Sequence, residues 1–303
     1  MSTESRLNKL FQNSPVIPCD CLSRFVIMSD CHRGIGNWGD NFLKNQNIYS
    51  AALKFYYQND YTYIELGDGD ELWENRDMSE IVTTHSDVFE LLSYFYQEHR
   101  LYMVFGNHDM VKKKQKTLRC CDNYYCESQC CYLPLMPGLC VHESLILKNR
   151  ISGQSIFLVH GHQGDLLNDI LWKFSRFLVR YIWRPLELFA LNDPTSAAKN
   201  STKKSAVEQR LSAWAAKHSQ MLIAGHTHRP SFPEDSTSCY YNCGSCVHPY
   251  SITALEICND KIALVKWNVQ SDRTRKLYIG REVLASSVIP SPSASPLSAK
   301  ACN

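Results

Sequence analysis

RFVIMSDCH, residues 24–32, decides the fold: a short apolar run rich in strand formers passes directly into Asp30 and His32, two residue types that bind cations. In an extended segment every second side chain falls on the same side, so the spacing predicts that Asp30 and His32 are aimed together just past a strand end. Four further runs repeat the pattern. Residues 61–66 (YTYIEL) lead into Gly67-Asp68, and residues 100–105 (RLYMVF) into Gly106-Asn107-His108-Asp109. Residues 155–159 (SIFLV) lead into His160-Gly161-His162, and residues 220–224 (QMLIA) into Gly225-His226-Thr227-His228.

Short buried strands alternating with helical segments indicate a layered α/β fold. In such folds the ligand site lies outside the carboxyl ends of the strands, so the five polar clusters are expected to converge in space. One cluster alone would be weak, because a strand-end Asp or His is commonly a turn or cap residue. Five in succession point to a cation site, with Asp68, which has two carboxylate oxygens, as the bridge between two cations.

The remaining composition narrows the class. The 303 residues carry a formal charge of +2, which is no polyanion-binding signature, and no nucleic-acid partner is expected. No apolar run suits export or a membrane span, so a soluble cytoplasmic protein is expected, and its fourteen cysteines are read as reduced thiols. Val88, Leu91, Leu92 and Phe95 recur at helical spacing and predict a helix over 84–99. Residues 252–258 and 261–269 flank Asn259-Asp260 and predict a hairpin at a sheet edge. The organisation expected is an N-terminal segment 1–22, a main domain 23–270, and a C-terminal extension 271–303 that is disordered from about 286, where Ser, Pro and Ala dominate. Within the main domain lie a Cys-rich insertion at 117–141 and a helical insertion at 165–218.

The ordered set D-x-H, GD, GNHD, HG and GHTH, from Asp30 to His228, resembles the signature of the calcineurin-like metallophosphoesterases. The resemblance implies a four-layer αββα sandwich and two divalent cations. Asp30, His32, Asp68 and His228 would hold one cation, and Asp68, Asn107, His160 and His226 the other. His108 would stand free for catalysis, with Asp109 as its orienting partner. The mixed donor set suits Mn, Fe, Zn, Co or Ni, with Mn favoured. Two cations roughly 3.5 to 4 Å apart would polarise the phosphoryl oxygens and ionise a bridging water, which attacks in line with the leaving group. The family usually reads GDxxD where this chain has Gly67-Asp68-Gly69-Asp70-Glu71. Glu71 retains the charge and is expected to be structural or to support the metal ligands from behind, and solvated turn carboxylates are an equal reading for Asp70 and Glu71.

Finer wording suggests a branch. The Arg-Gly of the Ser/Thr protein phosphatases is missing, whereas Gly225–Pro230 (GHTHRP) and Glu71-Leu72-Trp73 look more like the UDP-2,3-diacylglucosamine hydrolases, which cleave a lipid-linked pyrophosphate. That branch usually has Arg at the place of His108. In the helical insertion, Leu167, Ile170, Leu171, Phe174, Phe177, Leu178, Tyr181 and Ile182 fall on one face. Asp169, Lys173, Arg176, Arg180 and Arg184 take the other, and Pro185 ends the helix. Such a basic amphipathic helix over 166–184 suits peripheral membrane contact or an acyl chain, and Trp172 and Trp183 favour lipid; a packed helix with a solvated basic face is the plainer reading. Lys112, Lys113, Lys114 and Lys116 would draw in an anionic substrate or simply form a solvated loop. Cys120, Cys121, Cys126, Cys130 and Cys131 would hold a structural Zn ion or form an irregular loop of thiols. His162 is expected to support the site or face substrate. The substrate is a phosphorylated small molecule or a lipid- or nucleotide-linked pyrophosphate. A cyclic-nucleotide phosphodiesterase, a nuclease and a metal-poor scaffold are the rival readings.

Overall fold

β-branched and aromatic runs become strands throughout. The computed structural model describes residues 2–37, 39–126, 129–165, 169, 171–183, 201–233 and 238–289. The five runs singled out above form β2 (Phe25–Met28), β3 (Thr62–Leu66), β4 (Leu101–Val104), β9 (Ser155–Val159) and β10 (Met221–Ala224). With β7 (Val141–His142), β12 (Ser251–Cys258), β13 (Lys261–Ser271) and β14 (Leu277–Val288) they build two sheets; β1 (Val16–Cys19), β8 (Ser144–Asn149) and β11 (Tyr240–Asn242) complete the second. One sheet runs β14-β13-β12-β2-β3-β4-β7 and the other β1-β8-β9-β10-β11. β2, β3 and β4 are mutually parallel, as are β9, β10 and β11.

Strand alternation sorts the core into three layers of contact. Phe25, Ile27, Ile64, Leu66, Ile156, Leu158, Met221 and Ile223 meet between the sheets. The opposite faces are covered by helices. Val26, Met28, Tyr63 and Met103 pack under the helices Gln46–Gln58 and Ser86–Gln97, while Phe157, Val159, Leu222 and Ala224 pack under Thr3–Asn13 and Ser201–Lys217. The order of layers is therefore helix, sheet, sheet, helix, the sandwich that the sequence implied. Among the described residues no helix is long and apolar enough to cross a membrane.

Several expectations change. The helix expected over 84–99 is present as Ser86–Gln97, and a separate helix, Met78–Thr84, precedes it; His85 divides the two by leaving helical geometry and turning its ring onto Asp40 at 2.9 Å. The hairpin at Asn259-Asp260 forms, both residues having positive φ as its two-residue turn demands, but β13 is not the sheet edge. β14 pairs along it from Ser271↔Leu277 to Lys261↔Val288. Residues 286–288, expected to be disordered, thus belong to a strand; composition alone missed the backbone pairing on offer at the edge of β13. Residues 290–303 lie outside the described residues. The N-terminal segment supplies one covering helix and β1. In the Cys-rich insertion an antiparallel hairpin, β5 (Asn123–Cys126) with β6 (Cys131–Pro134), replaces the irregular loop.

The helical insertion departs most. The helix Trp172–Leu178 continues as a π-helical turn, Val179–Trp183. Leu167, Ile170, Arg184 and Pro185 lie outside the described residues. Phe174, Phe177 and Tyr181 of the apolar stripe are about half exposed, whereas Ser175 and Val179 are buried and Arg180, assigned to the solvated basic face, lies against residues 72–75. Periodicity identifies a stripe; it does not say which side finds a partner.

A buried ionic frame braces the strand ends. The Arg33 guanidinium is fully buried, bonds both oxygens of Glu65 on β3 at 2.7 and 2.9 Å, and reaches Asp70 at 2.7 Å. Lys112 Nζ sits 2.5 Å from Asp70 and 2.7 Å from Asp109. Asp70 is therefore no solvated turn carboxylate, and Lys112, 3 % exposed, is no solvated lysine. Arg33→Met would leave Glu65 and Asp70 short of their counter-charge in the interior, and a loss of about 3–5 kcal/mol in unfolding free energy is expected by urea denaturation. A loss below ~1 kcal/mol would mean that the frame is dispensable.

Candidate metal centre

The carboxyl ends of β2, β3 and β4 in one sheet and of β9 and β10 in the other open at the same end of the sandwich, and the candidate ligands lie there. The loop after β2 is zipped to the loop after β3. Asp30 N–H donates to Gly67 O, His32 N–H to Asp68 O, Arg33 N–H to Gly69 O, and Glu71 N–H back to Arg33 O, all at 2.9–3.0 Å. Asp30 and His32 converge for a reason different from the one expected: neither is extended. Both have left-handed backbones, φ 57° and 50°, as do Asp68, His226 and His228 at 50°, 67° and 56°. Non-glycine residues seldom adopt this region, and each costs of order 1–3 kcal/mol unless its surroundings impose it. The concentration of five such residues on the ligand set marks a site whose geometry is imposed by the fold.

Glycine permits the close approach. A Cβ on Gly67, itself at φ 92°, would stand 2.4 Å from His160 Nδ1, and one on Gly225 would stand 2.1 Å from Ser29 Oγ and 2.7 Å from Asp30 Oδ2.

In four of the candidate ligands, Asp30, His32, Asp68 and His160, scaffold hydrogen bonds consume one end of the side chain. Asp30 Oδ2 accepts from the His226 N–H at 2.9 Å and from Ser29 Oγ; Asp30 Oδ1 has no hydrogen-bond partner. Asp68 Oδ1 accepts from the His108 N–H at 2.8 Å. His160 Nδ1 donates to Leu66 O at 2.8 Å, which leaves Nε2 unprotonated in the neutral ring, and His32 Nδ1 lies 2.8 Å from Glu71. His160 Nε2, His226 Nε2 and Asn107 Oδ1 are buried without partners.

These free atoms gather in two groups. Asp30, His32 and His228 offer ligand atoms within 4.8 Å of one another, and so do Asp68, His160 and His226. His32 Nε2 and His228 Nε2 face each other at 3.2 Å, and His228 Nε2 is 3.1 Å from Asp30 Oδ1. Asp68 Oδ2 lies between the groups, 3.0 Å from His160 Nε2 and 3.9 Å from His32 Nε2. Orphaned buried nitrogens and oxygens turned towards two common points fit a pair of divalent cations. Asn107 contributes a buried, unpartnered Oδ1 at the same strand end.

Electrostatics agrees with that fit. Burial opposes ionisation of Asp68, yet His160, His108 and His32 hold its carboxyl well below the usual range. Burial likewise opposes protonation of His160, but Asp68 and Asp30 push it up to about 9, while burial and then the His160 charge drive His226 down to about 3.

Asp109 is not the orienting partner of His108. Its carboxylate accepts from the Gly106 N–H at 2.7 Å and the Gly69 N–H at 3.1 Å and meets Lys112, so it is fully used in fastening two turns. Glu71, not Asp109, is the carboxylate that meets the His108 ring. Its carboxylate is 2.8 Å from both His32 Nδ1 and His108 Nδ1, and the residue is 7 % exposed, which also excludes the solvated-turn reading. Trp73 stacks on the His108 ring with centroids 4.2 Å apart and planes 21° apart. Only the GD-x-x-E spacing hinted at Glu71, and nothing in the sequence indicated the stacking. His162 is buried beside the centre, with Glu143 and Asp169 rather than with the seven ligands, and those two carboxylates are bridged by Arg6. Asn242 Nδ2 donates to Gly225 O at 2.8 Å and so steadies the GHTH turn from β11.

Calorimetric titration of the metal-free chain with Mn is expected to find two equivalents, and His226→Ala one. Glu71→Gln should keep two, with one weakened about 10- to 100-fold, because outer-shell partners set the ligand's orientation. Since His160 holds its proton up to about pH 9 in the metal-free chain, protons compete with the cation below that value. Affinity should therefore rise with pH towards 9, with measurable proton release. Two tight, pH-independent equivalents in every variant would remove the ligand assignment.

Comparison with known proteins bears on the whole domain. Curated protein sequences include no match. Among solved structures the chain is similar to Vps29 of Chaetomium thermophilum (11 % identity, 89 % of this chain and 100 % of that one, TM-score 0.41). It is also similar to a single mutant of Vps29 from Entamoeba histolytica (15 %, 86 % and 99 %, 0.38) and to a cold-active protein-tyrosine phosphatase of a psychrophilic Shewanella (14 %, 89 % and 82 %, 0.38). At these scores the likenesses assign neither activity nor partner. The family model for calcineurin-like phosphoesterases matches residues 23–230, a span that holds all seven candidate ligands together with Glu71 and His108, and the chain belongs to that family.

Proposed function

We propose that the protein is a metal-dependent hydrolase of a phosphate ester or phosphoanhydride, with Asp30, His32, Asp68 and His228 holding one divalent cation and Asp68, Asn107, His160 and His226 a second. The observation that carries this reading is the set of buried atoms without hydrogen-bond partners, Asp30 Oδ1, Asn107 Oδ1, His160 Nε2 and His226 Nε2, with the Asp30 and His160 side chains tied down at their other ends. When bound, the cations, with Mn favoured, supply Lewis acidity to the phosphoryl group and a nucleophilic water.

The chain's own residues do the rest. Asp68 and Asp30 keep negative charge at the centre, which favours cations over a neutral pocket. His108 is the partly open imidazole, its side chain 23 % exposed, with Nδ1 held by Glu71 and its ring 4.7 Å from that of His32. Its Nε2 is left to hydrogen-bond an equatorial oxygen or to give a proton to the departing one. Burial disfavours the imidazolium, but Glu71 and Asp68 outweigh it and raise the pKa, which suits a proton donor. No covalent enzyme intermediate enters.

A lipid- or nucleotide-linked pyrophosphate is the proposed substrate class. The support is the helix Trp172–Leu178 and the turn after it, which sets exposed Phe174, Phe177 and Tyr181 beside Lys173 and Arg176 and joins the turn carrying Glu71 and Trp73. An aromatic face edged with cations suits an anionic lipid surface or an acyl chain, and the protein would then act peripherally on a membrane.

The test is Mn-dependent hydrolysis of a chromogenic monoester, a chromogenic diester and a UDP-linked lipid pyrophosphate. Wild type should cleave at least one, with the pyrophosphate preferred. Asp68→Ala should lose activity entirely, and His108→Ala should lose about 10²- to 10⁴-fold in kcat, the range for a positioned acid. A protein that binds two Mn ions and cleaves none of the three would instead be a binding scaffold.

A further inference from the structure

Arg180, in the π-helical turn Val179–Trp183, donates to three backbone carbonyls. Its Nε donates to Trp73 O at 2.7 Å and its Nη2 to Leu72 O at 2.8 Å and Asn75 O at 3.2 Å. All three acceptors belong to one turn. That turn begins with Glu71, whose carboxylate meets His32 and His108, and it carries Trp73, whose ring lies on the His108 ring at 4.2 Å. The indole is 3 % exposed, and among the described residues its Nε1 has no hydrogen-bond partner to fix the ring. Its place depends on the turn. A second tie runs the same way: Arg76, just past the turn, donates to the Tyr181 hydroxyl at 2.8 Å.

We infer that Arg180 is a positioning residue for His108: by pinning the 72–75 turn, the segment Trp172–Trp183 sets the catalytic imidazole in its working place. The inference rests on the phosphoesterase reading for the role of His108, but the pinning itself is a matter of geometry. A guanidinium presents a planar fork of donors that can serve three neighbouring carbonyls, whereas an ammonium is a point charge with one centre. Catalytic imidazoles tolerate little displacement, since a shift of about 1 Å can cost 10²-fold in rate. Phe174 and Phe177 ride on the helix that runs directly into the turn of Arg180, so whatever occupies that outer face also bears on His108.

Two measurements on the full chain test this. In the Zn-loaded protein, which is diamagnetic, the His108 ring protons should resonate upfield because they lie under the Trp73 ring, with assignment from the His108→Asn spectrum. Arg180→Gln should move them downfield, towards the position found in Trp73→Leu, and Arg180→Lys should fall between. In kinetics with a series of aryl and alkyl esters, Arg180→Gln should lower kcat about tenfold for poor leaving groups, which need the acid, with little change in KM or for good leaving groups. An unmoved His108 resonance in both Arg180 variants overturns the inference. So does a loss that is uniform across leaving groups or confined to KM, which would mark a structural or substrate-holding role. If wild type cleaves nothing, the phosphoesterase reading falls while the spectra still decide whether Arg180 positions His108.

Discussion

Asp30 and Asp68 are buried where two sheets meet, and the surrounding structure keeps both ionised with one oxygen each to spare. A buried carboxylate is costly unless charges and hydrogen bonds compensate it. Here the compensation is partial by construction: Asp30 Oδ2 takes the His226 N–H and Ser29, and Asp68 Oδ1 takes the His108 N–H, while the second oxygens face imidazoles. Fold and site are one problem, since the groups that satisfy the carboxylates are the backbone turns that deliver the other ligands.

Delivery carries a conformational cost. Five of the proposed ligands sit in left-handed backbone, and glycine is required at 67 and 225 because a Cβ there would collide with His160 or Ser29. Loops of this kind would relax if they were free. They are held by the ladder joining Asp30, His32 and Arg33 to residues 67–69, and behind it by Arg33, Glu65, Asp70, Lys112 and Asp109, a set of buried charges that satisfy one another. Removing a partner from such a set costs more than the set contributes net, so its value lies in fixing one arrangement of the turns rather than in adding stability.

How far the chain's residues alone reveal this arrangement follows from what each signal encodes. Strand runs and the polar residues after them are local in sequence, so β2, β3, β4, β9 and β10 and their terminal clusters are legible there, as is the tight turn at Asn259-Asp260. Backbone handedness is not encoded by residue type at Asp30 and His32, and the extended reading of D-x-H fails there although the convergence it predicts is present. Partner choice between two carboxylates is a tertiary matter: Asp109 adjoins His108 in sequence but faces the glycine turns, and Glu71, 37 residues away, reaches the ring. Lys112 reads as solvated in a lysine run and is buried because Glu65 and Asp70 of other segments, together with Asp109 three residues back, surround it. β14 has no apolar periodicity of its own, being paired through its backbone to β13.

The GD-x-x-E departure gains a physical meaning from this arrangement. Glu71 belongs to a turn whose backbone is already committed, its N–H to Arg33 O and its carbonyl to the Asn75 side chain. From that fixed point one carboxylate meets two imidazoles, one belonging to the proposed ligand His32 and the other to His108. Aspartate, a methylene shorter, would have to bring the turn closer to touch both. The longer side chain lets the turn stand off far enough for Trp73 to lie over His108 and for its carbonyls to meet Arg180. The proposed ligand His32, the proposed acid His108 and Arg180 thus all make their contacts with one short turn.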